Sequence, residues 1–318
     1  MPRTIMGYVV QFTGLHQIGL ALLSVAVFLL SAVPLELQRR IVNDVIGKGA
    51  FRTLFWLAAT YALVAMAEQS LKLVLNIYRG WVAESTVRQL RNGVRGIGIA
   101  SDLSSGSHTD TGVEVAMILE EAEPIGGFTG ISISEPLLQC GILVSVIGYM
   151  FYIESELALL GLAFFVPQMV FVPLLQLAIN RRAEARILTK REISGTIVEG
   201  AFLEGRVLED APIQRVFELN MGIYKLKYSM NLLMNLMHHL AVAVALCVGG
   251  WLAVEGRIEV GTVVAIVGGL GKLNDPWGDL VNWAREFSVV GVKYRLFADA
   301  ANRLATATTA RPAATLAD

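Results

Sequence analysis

The stretch GGLGKLNDPWGDL, residues 268–280, decides between two different kinds of protein. Its GGLGK looks like the end of the phosphate-binding loop of nucleotide hydrolases, which reads G-x-x-x-x-G-K-[ST]. There the glycines free backbone N–H groups for phosphates, the lysine reaches the β- and γ-phosphates, and the hydroxyl ligates Mg²⁺. Here Lys272 is followed by Leu273, and the position five before Gly271 is Ile266, so both the metal ligand and the first turn are missing. The surroundings must then decide what the stretch is.

Those surroundings are apolar. Of 318 residues, 54% are hydrophobic and 17% charged, and the mean hydropathy is +0.57. A soluble domain usually carries about 25% charge. Residues 4–35, 136–153, 157–180 and 228–254 contain no Asp, Glu, Lys or Arg. A hydrocarbon core about 30 Å thick takes roughly 20 helical residues to cross, so each run supplies one span. Residues 53–78, with Glu68 and Lys72, and 260–283, with Lys272, Asp275 and Asp279, read as two further spans, each with one polar face. Lipid cannot satisfy such a face, so it must look at protein or water.

Six spans follow, at about 14–37, 53–78, 131–153, 157–180, 230–254 and 259–283. Net charge is −1, which gives no reason to expect nucleic acid. The basic residues Arg181, Arg182, Arg186, Lys190, Arg191, Arg206, Arg215, Lys225 and Lys227 crowd one connector, which the positive-inside rule places in the cytoplasm. With six spans both termini are then cytoplasmic, while Arg39, Arg40, Lys48 and Arg52 fall outside against the rule. Cys140 and Cys247 read as buried packing residues within spans, with no disulfide framework or metal spacing. The N-terminal run is too long for a signal peptide's apolar region and reads as the first span.

The connectors are unequal. Spans three and four are joined by IESE and five and six by VEGRIE, whereas inner hairpins at about 79–130 and 181–229 mix apolar and charged residues at helical spacing. The spacing predicts that spans two to five continue into the cytoplasm as helices, turning at SDLSSGSHTDTG (101–112) and EDAP (209–212). A helix of roughly 40 residues is about 60 Å long. The six-helix domain takes up residues 1–303, and the small-residue tail 304–318 reads as disordered.

Several stretches resemble the transmembrane domain of exporter-type ABC transporters. PLELQRRIVNDVIGKG (34–49) is similar to the outer end of that family's first helix, and VEGRIEVGTVVAIV (254–267) to its turn between helices five and six. Pro276 and the helix to Arg303 resemble the proline-bearing sixth helix. TGVEVAMILEEAE (111–123) and VEGAFLEGRVLEDAPIQRVFE (198–218) resemble the inner hairpins with their transverse coupling helices. The resemblance spans about residues 15–305 and implies an all-α membrane fold assembled as a domain-swapped homodimer.

It also implies an ATPase, yet Walker A, LSGGQ-like and Walker B sequences are all missing from the residues given, and the first hairpin has a polar stretch where the family has aromatics. ATP and Mg²⁺ are therefore expected on a separate subunit, and no cofactor on this chain. The resemblance assigns the ATPase contacts to Asp110, Thr111, Gly112 and Glu114 on the first hairpin and to Gly205, Arg206, Asp210 and Pro212 on the second.

Within the chain, Lys272, Asp275 and Asp279 at i, i+3, i+7 share one face of a continuous helix. They are either an internal ion pair or the lining of a water-filled translocation path. Glu68 and Lys72 have the spacing of a helical ion pair, with the path as the second reading. GVRGIG (93–98) reverses the dinucleotide-binding order and follows a helix, so it is a decoy. Adjacent His238 and His239 diverge by about 100° on a helix and do not share a metal, and no nucleophile with a matching base suggests covalent catalysis.

The expected function is the membrane subunit of a transporter for an unidentified solute or lipid, sited in a bacterial inner membrane. Its partners are lipid, a second copy of itself and a separate ATPase. The alternatives are a non-transporting scaffold or regulator that kept the fold, and a domain excised from a longer exporter.

Overall fold

The computed structural model describes residues 2, 4–48, 51–102, 122–200 and 210–309. Its helices are α1 (Ile5–Ser31), α2 (Val33–Lys48), α3 (Phe51–Asp102), α4 (Ser134–Ile153), α5 (Ser155–Gly200), α6 (Asp210–Val254), α7 (Val260–Gly271) and α8 (Asn274–Thr309), with residues 122–131 also helical. No strand occurs among the described residues. Five stretches are long and apolar enough to cross a membrane: Ile5–Asp44, Arg52–Gly93, Ala122–Ile153, Ser155–Lys190 and Ala211–Val254.

The sixth expected span is interrupted. The 12-residue α7 stops at Gly271 and α8 starts at Asn274; α7 is about 18 Å long, short of the ~30 Å core. Pro276 explains the break. Proline cannot donate to the carbonyl four residues back, here that of Lys272, and its ring clashes with it, but it is tolerated in a first turn. Starting α8 at Asn274 puts Pro276 in that turn. Lys272, at φ −88°, ψ 1°, closes α7 by donating its N–H to Gly269 and Leu270 carbonyls. Lys272, Asp275 and Asp279 therefore do not lie on one continuous helix.

The chain divides into two compact units, residues 1–149 with 275–318, and residues 150–274. In the first, α3 packs against α1 and α2. Thr4 caps α1, its hydroxyl accepting from the Gly7 N–H at 3.2 Å. A core forms where α1 begins, from Ile5, Tyr8, Val9, Leu90, Ile125, Phe128, Tyr294 and Phe297 with their smaller neighbours. Burial pushes the Tyr294 hydroxyl up to about 12, and it donates to the Pro2 carbonyl at 3.0 Å, tying the N-terminus to α8. The helical stretch 122–131 lies so close to α3 that a Cβ on Gly130 would sit 2.4 Å from the Arg79 carbonyl oxygen. Only glycine permits that approach.

In the second unit α5 and α6 pack along their length, and α7 folds back on α6. Pro167 and Pro173 lie inside α5. The VEGRIE turn is a Schellman cap: Gly256 has φ 73°, its N–H meets the Ala253 carbonyl, and the Arg257 N–H meets that of Leu252. Toward the basic end of the unit, Arg186 Nη1 donates to Asn220 Oδ1 at 3.1 Å, linking α5 to α6.

Two further readings differ from the structure. Cys140 and Cys247 are exposed rather than buried. On a spanning helix the outward face meets lipid, where a small apolar thiol is as well placed as in a core. The helix expected to end at Arg303 runs to Thr309. Exposed Leu15, Leu22, Leu63 and Val144 belong to the same lipid-facing kind of surface.

Candidate functional site

A connected polar group among the described residues of the first unit centres on Arg79 of α3. Its Nε donates to Ser134 Oγ at 2.8 Å, and its Nη1 pairs with Glu135 Oε2. The two side chains are 9% and 16% exposed, so this pair is almost withdrawn from solvent. Arg79 Nη2 is buried and has no hydrogen-bond partner among the described residues. Removing one partner of such a pair costs about 3–5 kcal/mol, because it strands the other charge.

Glu135 sits in the first turn of α4, where the helix dipole favours an anion. One turn on, Gln139 Nε2 donates both to Glu135 Oε1 at 2.8 Å and to Asp279 Oδ2 at 2.9 Å. Trp283, a turn after Asp279 on α8, donates its indole N–H to the Ser132 carbonyl at 3.2 Å. Ser24 of α1 reaches the Ser134 carbonyl at 3.2 Å. The start of α4 thus has polar contacts with α1, α3 and α8. Glu135 and Asp275 also act electrostatically on Asp279, with Arg79 opposing them, so the group holds more negative than positive charge.

Of the residues expected to line a path, Asp279 enters this network. Asp275 stands exposed in the first turn of α8, and Lys272, partly exposed, occupies the break before it. Glu68 and Lys72 pair with each other at 2.7 Å; Glu68 is 5% exposed, which makes Lys72 its counter-ion. Asp110, Thr111, Gly112, Glu114, Gly205 and Arg206 lie outside the described residues. Asp210 opens α6, and Pro212 falls in its first turn.

Arg79, Glu135 and Gln139 escaped the sequence reading. A signal existed: Glu135 and Gln139 have i, i+4 spacing at the mouth of a charge-free run, and Arg79 follows another apolar stretch. Among the described residues no group of three His, Cys, Asp or Glu side chains is placed to hold a metal ion. His238 and His239 ring centres are 5.5 Å apart, and His16 Nδ1 instead meets the Tyr78 hydroxyl at 2.9 Å.

Residues 17–201 match the family described as the ABC transporter transmembrane region, which is more than half of the chain. The chain belongs to that family. The matched part runs from within α1 to the end of α5 and holds Glu68, Lys72, Arg79, Glu135 and Gln139. The 254–267 turn, Lys272, Asp275 and Asp279 lie beyond it. A search of curated proteins found no match. The ABC membrane domain of exporter type, all helical and built of apolar spanning helices, is an integral membrane protein.

Proposed function

We propose that this ABC membrane domain is the transport subunit of a homodimeric ABC-type transporter, moving a solute or lipid by alternating access. ATP hydrolysis takes place on a separate subunit that docks on the inner turns near 101–123 and 205–215. Closure of the ATPase pair shifts the inner hairpins, and the helical halves rock between inward and outward openings. The chain itself binds neither ATP nor Mg²⁺. Its membrane is a bacterial inner membrane, with both termini cytoplasmic.

The family match over residues 17–201 carries this reading. The long α3, α5 and α6, at 52, 46 and 45 residues, add to it, because each exceeds by far the roughly 20 residues a crossing needs. Their surplus is suited to transmitting movement from the cytoplasm. Asp279 and the Arg79–Glu135 pair are the groups we assign to the path, and Lys272, Asp275, Glu68 and Lys72 remain assigned with them.

Co-purification tests the reading. The tagged chain, solubilised gently from cells expressing its genomic neighbours, is expected to bring down an ATPase subunit, and the joint complex to hydrolyse ATP when the chain alone does not. ATP turnover by the chain alone, lost in Lys272→Ala, would contradict it. So would recovery from the native host with no ATPase under several detergents.

A further inference from the structure

The α5–α6 pair carries an unbalanced cluster of cations where its apolar runs end. Residues 157–180 of α5 and 228–254 of α6 contain no Asp, Glu, Lys or Arg. Directly beyond them stand Arg181, Arg182 and Arg186 on α5 and Lys225 and Lys227 on α6. Glu184 and Glu218 are the only carboxylates from 178 to 187 and from 218 to 228. Arg181, Arg182, Lys225 and Lys227 are exposed, and none of these four side chains has an ion pair or a hydrogen bond among the described residues.

Contacts between the two helices set the charges at one level. A Cβ on Gly222 would lie 3.1 Å from Arg182 Cδ and Nε, so the missing side chain lets Arg182 lie across α6. Arg186 Nη1 donates to Asn220 Oδ1 at 3.1 Å, and its Nε is buried with no hydrogen-bond partner among the described residues. With 182 beside 222 and 186 beside 220, the antiparallel register sets Lys225 and Lys227 beside about 180 and 178. At 1.5 Å per residue, Arg181, Arg182 and Lys225 then fall within about 3 Å along the axis, with Arg186 and Lys227 about one turn to either side. Tyr224 and Tyr228, both exposed, stack at the same level with ring centres 6.1 Å apart. Tyrosine suits a membrane–water boundary, where its ring meets hydrocarbon and its hydroxyl meets water. Exposed Leu174, Leu177, Leu232 and Leu236 follow on the membrane side.

We propose that this end of the α5–α6 pair is a binding surface for anionic phospholipids of the leaflet it meets, held as a resident lipid and not as cargo. Exposed leucines below and unpaired cations above match the order of acyl chain and phosphodiester in such a lipid. Arg182 offers a planar fork that pairs with a phosphate through two parallel hydrogen bonds. Lys225 and Lys227 act as point charges, and a cluster of this size just outside a span attracts anionic lipid through the surface potential. A zwitterionic lipid brings its own cation and gains much less. The proposal stands apart from the transport reading.

Native mass spectrometry of the purified full chain, titrated in detergent with dioleoyl phosphatidylglycerol or dioleoyl phosphatidylcholine, tests it. The expected result is roughly tenfold tighter binding of the anionic lipid, shrinking as ionic strength rises. Arg182→Gln should weaken that binding roughly fivefold. Arg257→Gln, which removes one charge beyond the other end of α6, should leave it unchanged. The triple variant Arg181→Gln, Arg182→Gln, Lys225→Gln should bind both lipids alike. Equal binding by the parent, a preference that survives the triple variant, or an equal drop in Arg257→Gln overturns the proposal. Should the arginine variants fail to fold, an unchanged preference in Lys225→Gln overturns it as well. Glycerophosphoglycerol, the same headgroup without acyl chains, should not displace the lipid at equal concentration; displacement would mean that the surface reads a free phosphodiester and would overturn the lipid assignment. The titration needs neither ATPase nor ATP, so its failure leaves the transport reading standing.

Discussion

Gln139 Nε2 donates to Asp279 Oδ2 across 2.9 Å, joining two side chains 140 residues apart. The same nitrogen serves Glu135 Oε1, so one amide group holds two carboxylates near each other. Gln139→Glu would place a third carboxylate between them and remove the donor. We expect this variant to lose about 1–3 kcal/mol, read as a lower melting temperature in detergent, and to recover part of the loss at low pH, where the carboxylates protonate. Gln139→Glu melting like the parent at neutral pH would show that the contact is not made.

The Arg79–Glu135 pair should show strong coupling. Arg79→Met alone leaves Glu135 nearly buried without its counter-charge, and a cost of about 3–5 kcal/mol is expected. The double variant Arg79→Met with Glu135→Met should be markedly more stable than either single variant, because both charges are gone. A double-mutant cycle by thermal melting measures this directly; strictly additive losses would mean that the two side chains do not interact.

Close packing at Gly130 leaves no room for a branched side chain, since a Cβ there meets the backbone of α3 at Arg79. Gly130→Val is expected to abolish folded, monodisperse protein in size-exclusion chromatography. Gly127→Val, three residues earlier with nothing within 4 Å of its Cβ position, should be tolerated in the same assay. Two variants that behave alike would argue against the close approach.

Water accessibility around the helix break can be mapped by single cysteines in a background lacking Cys140 and Cys247. Positions 275 and 279, exposed on the chain, should label strongly with a charged maleimide, and position 270, buried at 3% exposure, weakly. Position 272 should follow 275 if the break opens to water, and 281 should be intermediate. Uniform protection of all five would remove the aqueous path from this segment.

Orientation is tested by a cysteine at Ser194, on α5 beyond its basic cluster. The positive-inside rule predicts that an impermeant probe labels it only after the membrane is disrupted. Labelling in intact spheroplasts would mean the reverse orientation, with the inner hairpins outside.

Much of the architecture was legible because a bilayer imposes simple demands. A charge-free run of sufficient length in 4–35, 157–180 or 228–254 must be helical and must span, since hydrocarbon leaves no other way to satisfy backbone N–H and C=O groups. The VEGRIE turn was legible as well, because Gly256 supplies the positive φ that ends a helix cheaply. The Glu68–Lys72 pair followed from i, i+4 spacing, a local property of one helix.

What lay beyond reach depends on partners distant in the chain. Even the interruption at Lys272, whose cause Pro276 was in plain view, escaped a reading based on average hydropathy, which does not register a missing N–H. Arg79 has no local sign that Glu135 and Ser134 will neutralise and cap it, 56 and 55 positions later; that depends on Gly130 letting two helices touch. The sequence alone therefore determined that this is a helical membrane domain with helices far longer than a crossing needs, because those features follow from length and polarity along one strand of chain. Only the tertiary structure decided which charges meet, since a buried ion pair is set by the distance between helices and not by spacing within either.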